Sequence, residues 1–267
     1  MLTGHIDESG DSKLFTLSCL VGDGSMWPWI ELAWTKLLEE TNTSLTAHGR
    51  PTISRYHASD CRNLRKEFAG WSADEQREFT QKILRIFQRH PLHVFAYSLD
   101  LQALVEEIPE TKPNPRGFAY VLLLSHLMTA IGGTLDLYPK DQIALIHDRC
   151  EYDAALSEAF NHMKNDETFK YRDRFTKIDS MSWEECIHLQ PADFLAYENF
   201  REAERRTTKR PRSKALELLL DLDSFRGRAI GFEREALREL RTMVDGLDEC
   251  TRKTLFKNAR ISRPSNT

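Results

Sequence analysis

The hydrophobic pattern opens with two apolar-rich runs, Leu2 to Asp7 and Leu14 to Val21, split by the turn residues Ser9-Gly10-Asp11-Ser12. Such a pair predicts two strands closed into an antiparallel hairpin. After Gly22 to Ser25 the period changes. Trp27 to Glu40 carries Ile30, Leu32, Ala33 and Leu37 at helical spacing, with Pro28 in the first turn. Residues 41–56 are polar, contain Gly49 and Pro51, and read as a loop. Ser72-Ala73-Asp74-Glu75 is a capping box that predicts a helix to about Arg89.

A third strand is expected over Leu92 to Leu99, followed by a rigid connector marked by Pro109, Pro113 and Pro115. Arg116 to Ile131 reads as a largely apolar helix, buried on most sides and ended by Gly132-Gly133. Gln142 to His147 is a short apolar strand ending in Asp148. A helix from about Asp153, a strand over Arg174 to Ile178 and a helix from Pro191 to Arg205 complete the pattern. The tail has a basic hinge, Thr207 to Ser213, and two charged helical stretches, Lys214 to Asp223 and Phe232 to Lys257. This order fits an α/β domain over 1–206, a mixed five-stranded sheet flanked by helices with a helical insertion at about 23–90. Residues 207–267 then form the hinge and C-terminal helices, a surface open to a protein partner or a second copy.

With 40 % apolar and 29 % charged residues the chain has an ordinary globular composition. Its longest apolar stretch, Phe118 to Ile131, is interrupted by Ser125, His126 and Thr129, so no membrane association is expected. Met1 to Asp7 has neither the basic nor the apolar region of a signal peptide, which sets the expectation of a cytoplasmic location. The five cysteines are widely spaced with no Cys-x-x-Cys pair, which argues against a disulfide framework and a zinc knuckle. His57 and Cys61, four apart, could share a metal, but no second pair accompanies them. Trp27, Trp29 and Trp34 read as helix packing.

Candidate chemistry collects at strand ends. Asp7 closes the first strand, Asp148 a later one, and Asp193 lies in the first turn of a late helix. If the first and fourth strands are parallel neighbours, their ends are about 5 Å apart, and a helix across that edge brings Asp193 to the same place. Carboxylates that close repel one another, and Mg²⁺ or Mn²⁺ relieves this because hard cations choose oxygen ligands. Two such ions suit phosphodiester hydrolysis. Each residue also has a plainer reading: Asp7 and Glu8 as turn residues, Asp148 as a strand end facing water, Asp193 as a carboxylate favoured by the helix dipole.

Strand alternation sends Asp7 and Glu8 to opposite faces, so both are not expected at one centre. His5 and His147 are assigned to the face opposite Asp7 and Asp148. On the late helix Gln190, Asp193 and Tyr197 share a face, while Glu198 stands about 140° around from Asp193. His57 reads as a proton shuttle or phosphate contact, or as an ordinary histidine bonded at a loop end. Arg201, Arg205, Arg206, Lys209, Arg210, Arg212 and Lys214 follow the Asp193 helix directly. The core of this run, Arg205 to Arg212, suits a phosphate backbone, or is a solvated hinge.

His5-Ile6-Asp7-Glu8-Ser9-Gly10-Asp11 and Leu189-Gln190-Pro191-Ala192-Asp193-Phe194-Leu195-Ala196-Tyr197 together resemble the domain of unknown function 3800 family. Ile143 to Asp148 and Tyr56-His57-Ala58-Ser59-Asp60 fall between them in the family's order, and the similarity spans about residues 3–200. The resemblance implies an RNase H-like, integrase-like fold with an acidic metal site. It favours Asp7, Asp148 and Asp193 as metal ligands, with Glu8 beside them. One departure stands out: ribonuclease H enzymes usually carry a glutamate on the helix after the third strand, and Arg116 to Ile131 has no acidic residue. Glu8, Asp11, Glu198 or a water then fills that place.

These observations lead to a divalent-metal-dependent nuclease acting on RNA or DNA, with Asp7, Glu8, Asp148, Asp193 and His57 at the reacting centre. The alternative is an inactive module of the same fold that binds nucleic acid or a protein. A third reading is a phosphohydrolase of small phosphates, whose activity ignores charge reversal in 201–214.

Overall fold

The N-terminal hairpin forms as its pattern requires. In the computed structural model β1 (Leu2–Gly10) pairs antiparallel with β2 (Leu14–Asp23), and the turn is closed by Asp11, whose carboxylate accepts from the N–H groups of Lys13 and Leu14. The structure describes residues 1–90, 92–135, 142–208, 211–220, 225–232, 234–249 and 256.

After the hairpin come α1 (Trp27–Ala47), the short α2 (Ala58–Arg62) and α3 (Ala73–Arg89). The Ser72–Glu75 capping box closes in both directions. α1 runs a further seven residues into the segment read as a loop. Its threonines satisfy their hydroxyls within the helix, Thr41 to the carbonyl of Leu37 and Thr43 to that of Glu39, while Leu45 is buried. Trp27 and Trp34 are core residues, but Trp29 lies on the outer face of α1 and is 64 % exposed.

β3 (Leu92–Asp100) leads through α4 (Leu101–Glu107), capped by the Asp100 carboxylate, into α5 (Pro115–Leu135). Then follow β4 (Ile143–Asp148), α6 (Asp153–Asn165), β5 (Phe175–Met181), α7 (Leu189–Thr208) and α8 (Lys214–Leu220). The chain continues into β6 (Phe225–Phe232) and α9 (Arg234–Asp245).

The protein is α/β, built on a six-stranded mixed sheet in the order β5-β4-β1-β2-β3-β6. β1–β4, β4–β5 and β3–β6 are parallel, and β1–β2 and β2–β3 antiparallel. The sequence pattern assigns only helices to 207–267. The structure takes β6 from this segment and lays it beside β3 as a sixth strand, so part of the tail belongs to the sheet of residues 1–206. α9 returns onto α4, with Arg234, Arg238 and Arg241 paired to Glu106, Glu107 and Glu110.

Strand alternation divides the core. Ile6, Leu17, Cys19 and Leu145 meet α5 on one face; Leu20 and Val94 meet α1, α3 and α7 on the other. By length and composition α5 is the one helix among the described residues able to cross a membrane. Here it is a core helix, with Leu123, Leu127 and Met128 fully buried. It continues through Gly132-Gly133 rather than ending there, because the ring of Tyr171 packs directly on Gly132: a Cβ would sit 2.4 Å from its Cγ. The glycine pair marks a close approach, not a helix stop.

Candidate acidic site at the end of the β1–β4 ladder

The parallel pairing of β1 and β4 ends at Ile6 and His147, and the next residue on each strand is an aspartate, Asp7 and Asp148. Parallel partners share a face, so both side chains turn to the α7 side of the sheet. α7 crosses this edge and brings Asp193. The three aspartates and Glu8 line one pocket of about 170 Å³ with Arg55, Tyr56, His57, Trp183, Leu189 and Gln190.

Glu8 belongs here despite the alternation rule. Its carboxylate accepts a 2.6 Å hydrogen bond from the Tyr120 hydroxyl on α5, the opposite layer from α7. Asp7 and Glu8 do diverge in partner, yet both line the pocket because it lies beyond the end of the ladder. The helix expected to carry a glutamate thus supplies a tyrosine that holds Glu8. Asp11 stays in the hairpin turn, and Glu198 bonds Ser213 instead.

Each carboxylate is pinned through one oxygen. Asp7 Oδ1 accepts from the N–H of Glu8 (2.8 Å), Asp148 Oδ1 from that of Arg149 (3.0 Å), and Asp193 Oδ2 from that of Ala58 (2.7 Å). Among the described residues no hydrogen bond is made by the second oxygen of these aspartates. Gln190 secures the α7 side by accepting from Trp34 Nε1 and the N–H of Tyr56, which fixes the segment carrying Arg55 and His57.

The electrostatics follow from crowding acids out of water. Burial first, then Asp193, Glu8 and Asp148, push the Asp7 carboxyl well above the ordinary range. Burial raises Glu8 and Asp148 as well, and pushes Asp193 up to about 7 against the opposing effects of the Ala58 N–H and Arg55. Without a cation this crowding favours the protonated carboxyls.

His57 caps α2, and its Nδ1 lies 3.0 Å from the Asp60 carboxylate. Burial lowers its pKa despite that partner, which favours the neutral ring. His147 lies on the far side, with Nδ1 on the Asp148 carbonyl. His5 is not opposite Asp7. Two residues apart on a strand, they share a face, and His5 packs on Trp27 and His188.

The basic run is more distant than its place in the chain implies. Arg205 is twelve residues beyond Asp193, about 18 Å along α7. Arg205 and Arg212 both clasp the buried Glu202, and they hold its carboxyl down at about 2, Arg205 foremost. Arg206 stands 3.9 Å from the same carboxylate and is half exposed. Lys209 and Arg210 lie outside the described residues. The cation that does line the acidic pocket is Arg55, its guanidinium 5.0 Å over the Trp183 ring. Sequence reading passes over both residues, although Arg55 directly precedes the Tyr56-His57 segment. Trp183 carries no signal of its own, since only the fold brings it to Arg55.

Comparison with protein-family models and with curated proteins finds no match for this chain.

Proposed function

We propose that the chain is a divalent-metal-dependent nuclease of RNase H-like fold, akin to the domain of unknown function 3800 family, hydrolysing phosphodiester bonds of RNA or DNA. The observation that carries the reading is the meeting of four carboxylates from β1, β4 and α7 in one pocket beside a single arginine. An all-oxygen donor set fits Mg²⁺ or Mn²⁺. Asp7, Asp148 and Asp193 would hold it, with Glu8 as the fourth acid. When bound, such an ion polarises phosphoryl oxygens and lowers the pKa of a coordinated water.

The chain's own residues divide the remaining work. Arg55, stacked on Trp183, sets a positive charge where a phosphate approaches an otherwise acidic pocket. Tyr120 fixes Glu8 from below. With Nδ1 engaged by Asp60, His57 exchanges a proton at Nε2. The four described cysteines are free thiols, in keeping with work in the reducing cytoplasm.

A second reading is a module of the same fold that binds nucleic acid or a protein without cutting. It is favoured by the acid-free α5, and by the spacing of the carboxylates. Among the described residues, the groups that bring three ligand atoms within 4.8 Å of one another lie elsewhere. The deciding experiment is cleavage of labelled RNA, DNA and hybrid substrates in Mg²⁺, Mn²⁺ and EDTA by wild type, Asp7→Asn and Asp193→Asn. Cleavage that needs the metal and both aspartates establishes the nuclease. No cleavage anywhere, with salt-sensitive binding kept in the variants, leaves the binding module.

A further inference from the structure

Next to the acidic pocket, on the same face of the sheet, lies a cluster of different chemistry. His5 of β1 and Cys186 and His188 of the turn before α7 bring one ligand atom each within 4.8 Å of one another. We propose that His5, Cys186 and His188 form a binding site for a zinc-class cation that ties β1 to the start of α7.

Three observations carry this. The Sγ of Cys186 lies 3.8 Å from Nδ1 of His188, close to the roughly 3.5 Å edge of a tetrahedron built on ordinary Zn–S and Zn–N bonds. Nε2 of His188 faces two acceptors, the Trp27 carbonyl at 3.1 Å and the Glu31 carboxylate at 3.7 Å. Nε2 therefore carries the proton and Nδ1 presents its lone pair toward Cys186, the arrangement by which ligating histidines are usually oriented. Finally, His5 is 1 % exposed, and its Nδ1 is buried with no hydrogen-bond partner. Buried polar nitrogens rarely go unpaired, and a metal ligand is one resolution.

A second group, His147, Cys150 and Asp153, is equally close but is already satisfied. Its Asp153 oxygens accept from the Cys150 N–H and the Ser180 hydroxyl, and His147 Nδ1 lies on the Asp148 carbonyl. The His5 cluster differs in having donor atoms to spare. Its mixed nitrogen and sulfur set selects zinc over Mg²⁺ or Mn²⁺. Three protein ligands leave a fourth position for water, and of the groups around the cluster His188 is 15 % and Glu31 57 % exposed. His5 is two residues from Asp7, and His188 five from Asp193, so a cation here braces both without entering their pocket.

The test uses the full chain, stripped with chelator and titrated with Co²⁺ and then Zn²⁺. One equivalent of Co²⁺ should give thiolate-to-cobalt charge-transfer absorption with intense tetrahedral visible bands, all lost on adding Zn²⁺. Asp7→Asn, Asp193→Asn and Cys150→Ser should keep these bands; Cys186→Ser should lose the charge-transfer band, and His188→Gln should weaken binding. Wild type without a charge-transfer band, or a band that survives in Cys186→Ser and vanishes in Cys150→Ser, overturns the site. Should Cys186→Ser not fold, alkylation mapping on wild type decides: Zn²⁺ must shield Cys186 from the reagent, and equal labelling with and without it rejects the proposal. Because the readout is spectroscopic, it stands apart from any nuclease activity.

Discussion

Asp7 and Asp148 each stand one residue beyond Ile6 and His147, the last partners of the β1–β4 ladder. Two strands stop pairing at the same level, and each presents an acid at the gap. β1 stays paired with β2 and β4 with β5, so only the seam between β1 and β4 opens, and Asp7 and Glu8, from opposite faces of β1, both line the pocket there.

This crowding makes apo stability depend on pH in a defined direction. Folding raises Asp7 well above its ordinary value near 4, and Asp193 to about 7, so the native chain holds protons that the unfolded chain releases. The stability these groups contribute is complete below about pH 4 and is lost as pH rises through about 7 and beyond. Thermal melts in EDTA should therefore show Tm falling across that window, and Asp193→Asn should flatten the fall. Mg²⁺ or Mn²⁺ should restore Tm at pH 8 in wild type and not in Asp7→Asn. A Tm–pH slope unchanged by either substitution would remove the electrostatic account.

Tyr120→Phe tests whether Glu8 acts through its position. The substitution deletes the hydroxyl that holds Glu8 Oε2 and keeps the ring that packs on Phe15 and Tyr152. Outer-shell partners of metal ligands typically contribute about 10–100-fold. Cleavage should drop within that range, with little change in Tm. A variant of wild-type activity would release Glu8 from the site.

Arg55→Gln should raise the KM for polymer substrates and reduce the slope of log binding against log salt by about 1, the loss of one phosphate contact. Trp183→Ala should give part of that effect, because Arg55 loses the ring it stacks on. Arg205→Gln acts elsewhere: it removes one of the two guanidinium groups hydrogen-bonded to buried Glu202 and should lower stability above about pH 4.5, a loss that fades as pH falls toward 2, with little effect on binding. The opposite ranking would return substrate binding to the 201–214 segment.

Gly132→Ala should destabilise the fold. In an open helix the exchange gains about 1 kcal/mol, but here the new Cβ meets the Tyr171 ring at 2.4 Å, and overpacking of this kind costs about 1–3 kcal/mol. Urea unfolding should show the loss, and a Tyr171→Gly background, which removes the Tyr171 Cβ at 2.5 Å together with the ring, should turn it into a gain.

Much of this was legible in the chain. Apolar runs and helical spacing located β1 through β5 and α1, α3, α5, α6 and α7, though not the short α2 and α4, and the Ser72 capping box opens α3. Asp148 ends its strand as its pattern predicts; Asp7 reads as a strand end but lies three residues inside β1, and Asp193, which reads as a first-turn acid, is the fifth residue of α7. These are local signals, produced by a few residues acting on their own backbone. Elsewhere the local signal misled: the polar segment 41–56 reads as a loop, yet α1 extends to Ala47 with the hydroxyls of Thr41 and Thr43 bonded back within it. Gly132 read as a stop, yet it makes room for Tyr171.

What the sequence by itself determined is the order of β1 to β5 with their longer helices, and the positions of the acids along them. Tertiary structure alone decided the rest: that β6 pairs with β3, that Glu8 joins Asp7 through a tyrosine on the opposite layer, that Arg55 stacks on Trp183, and that His5 meets Cys186 and His188. The physical reason is separation. Each of these contacts joins residues tens to hundreds of positions apart, and their energy exists only after strand pairing and helix packing have closed the intervening loops.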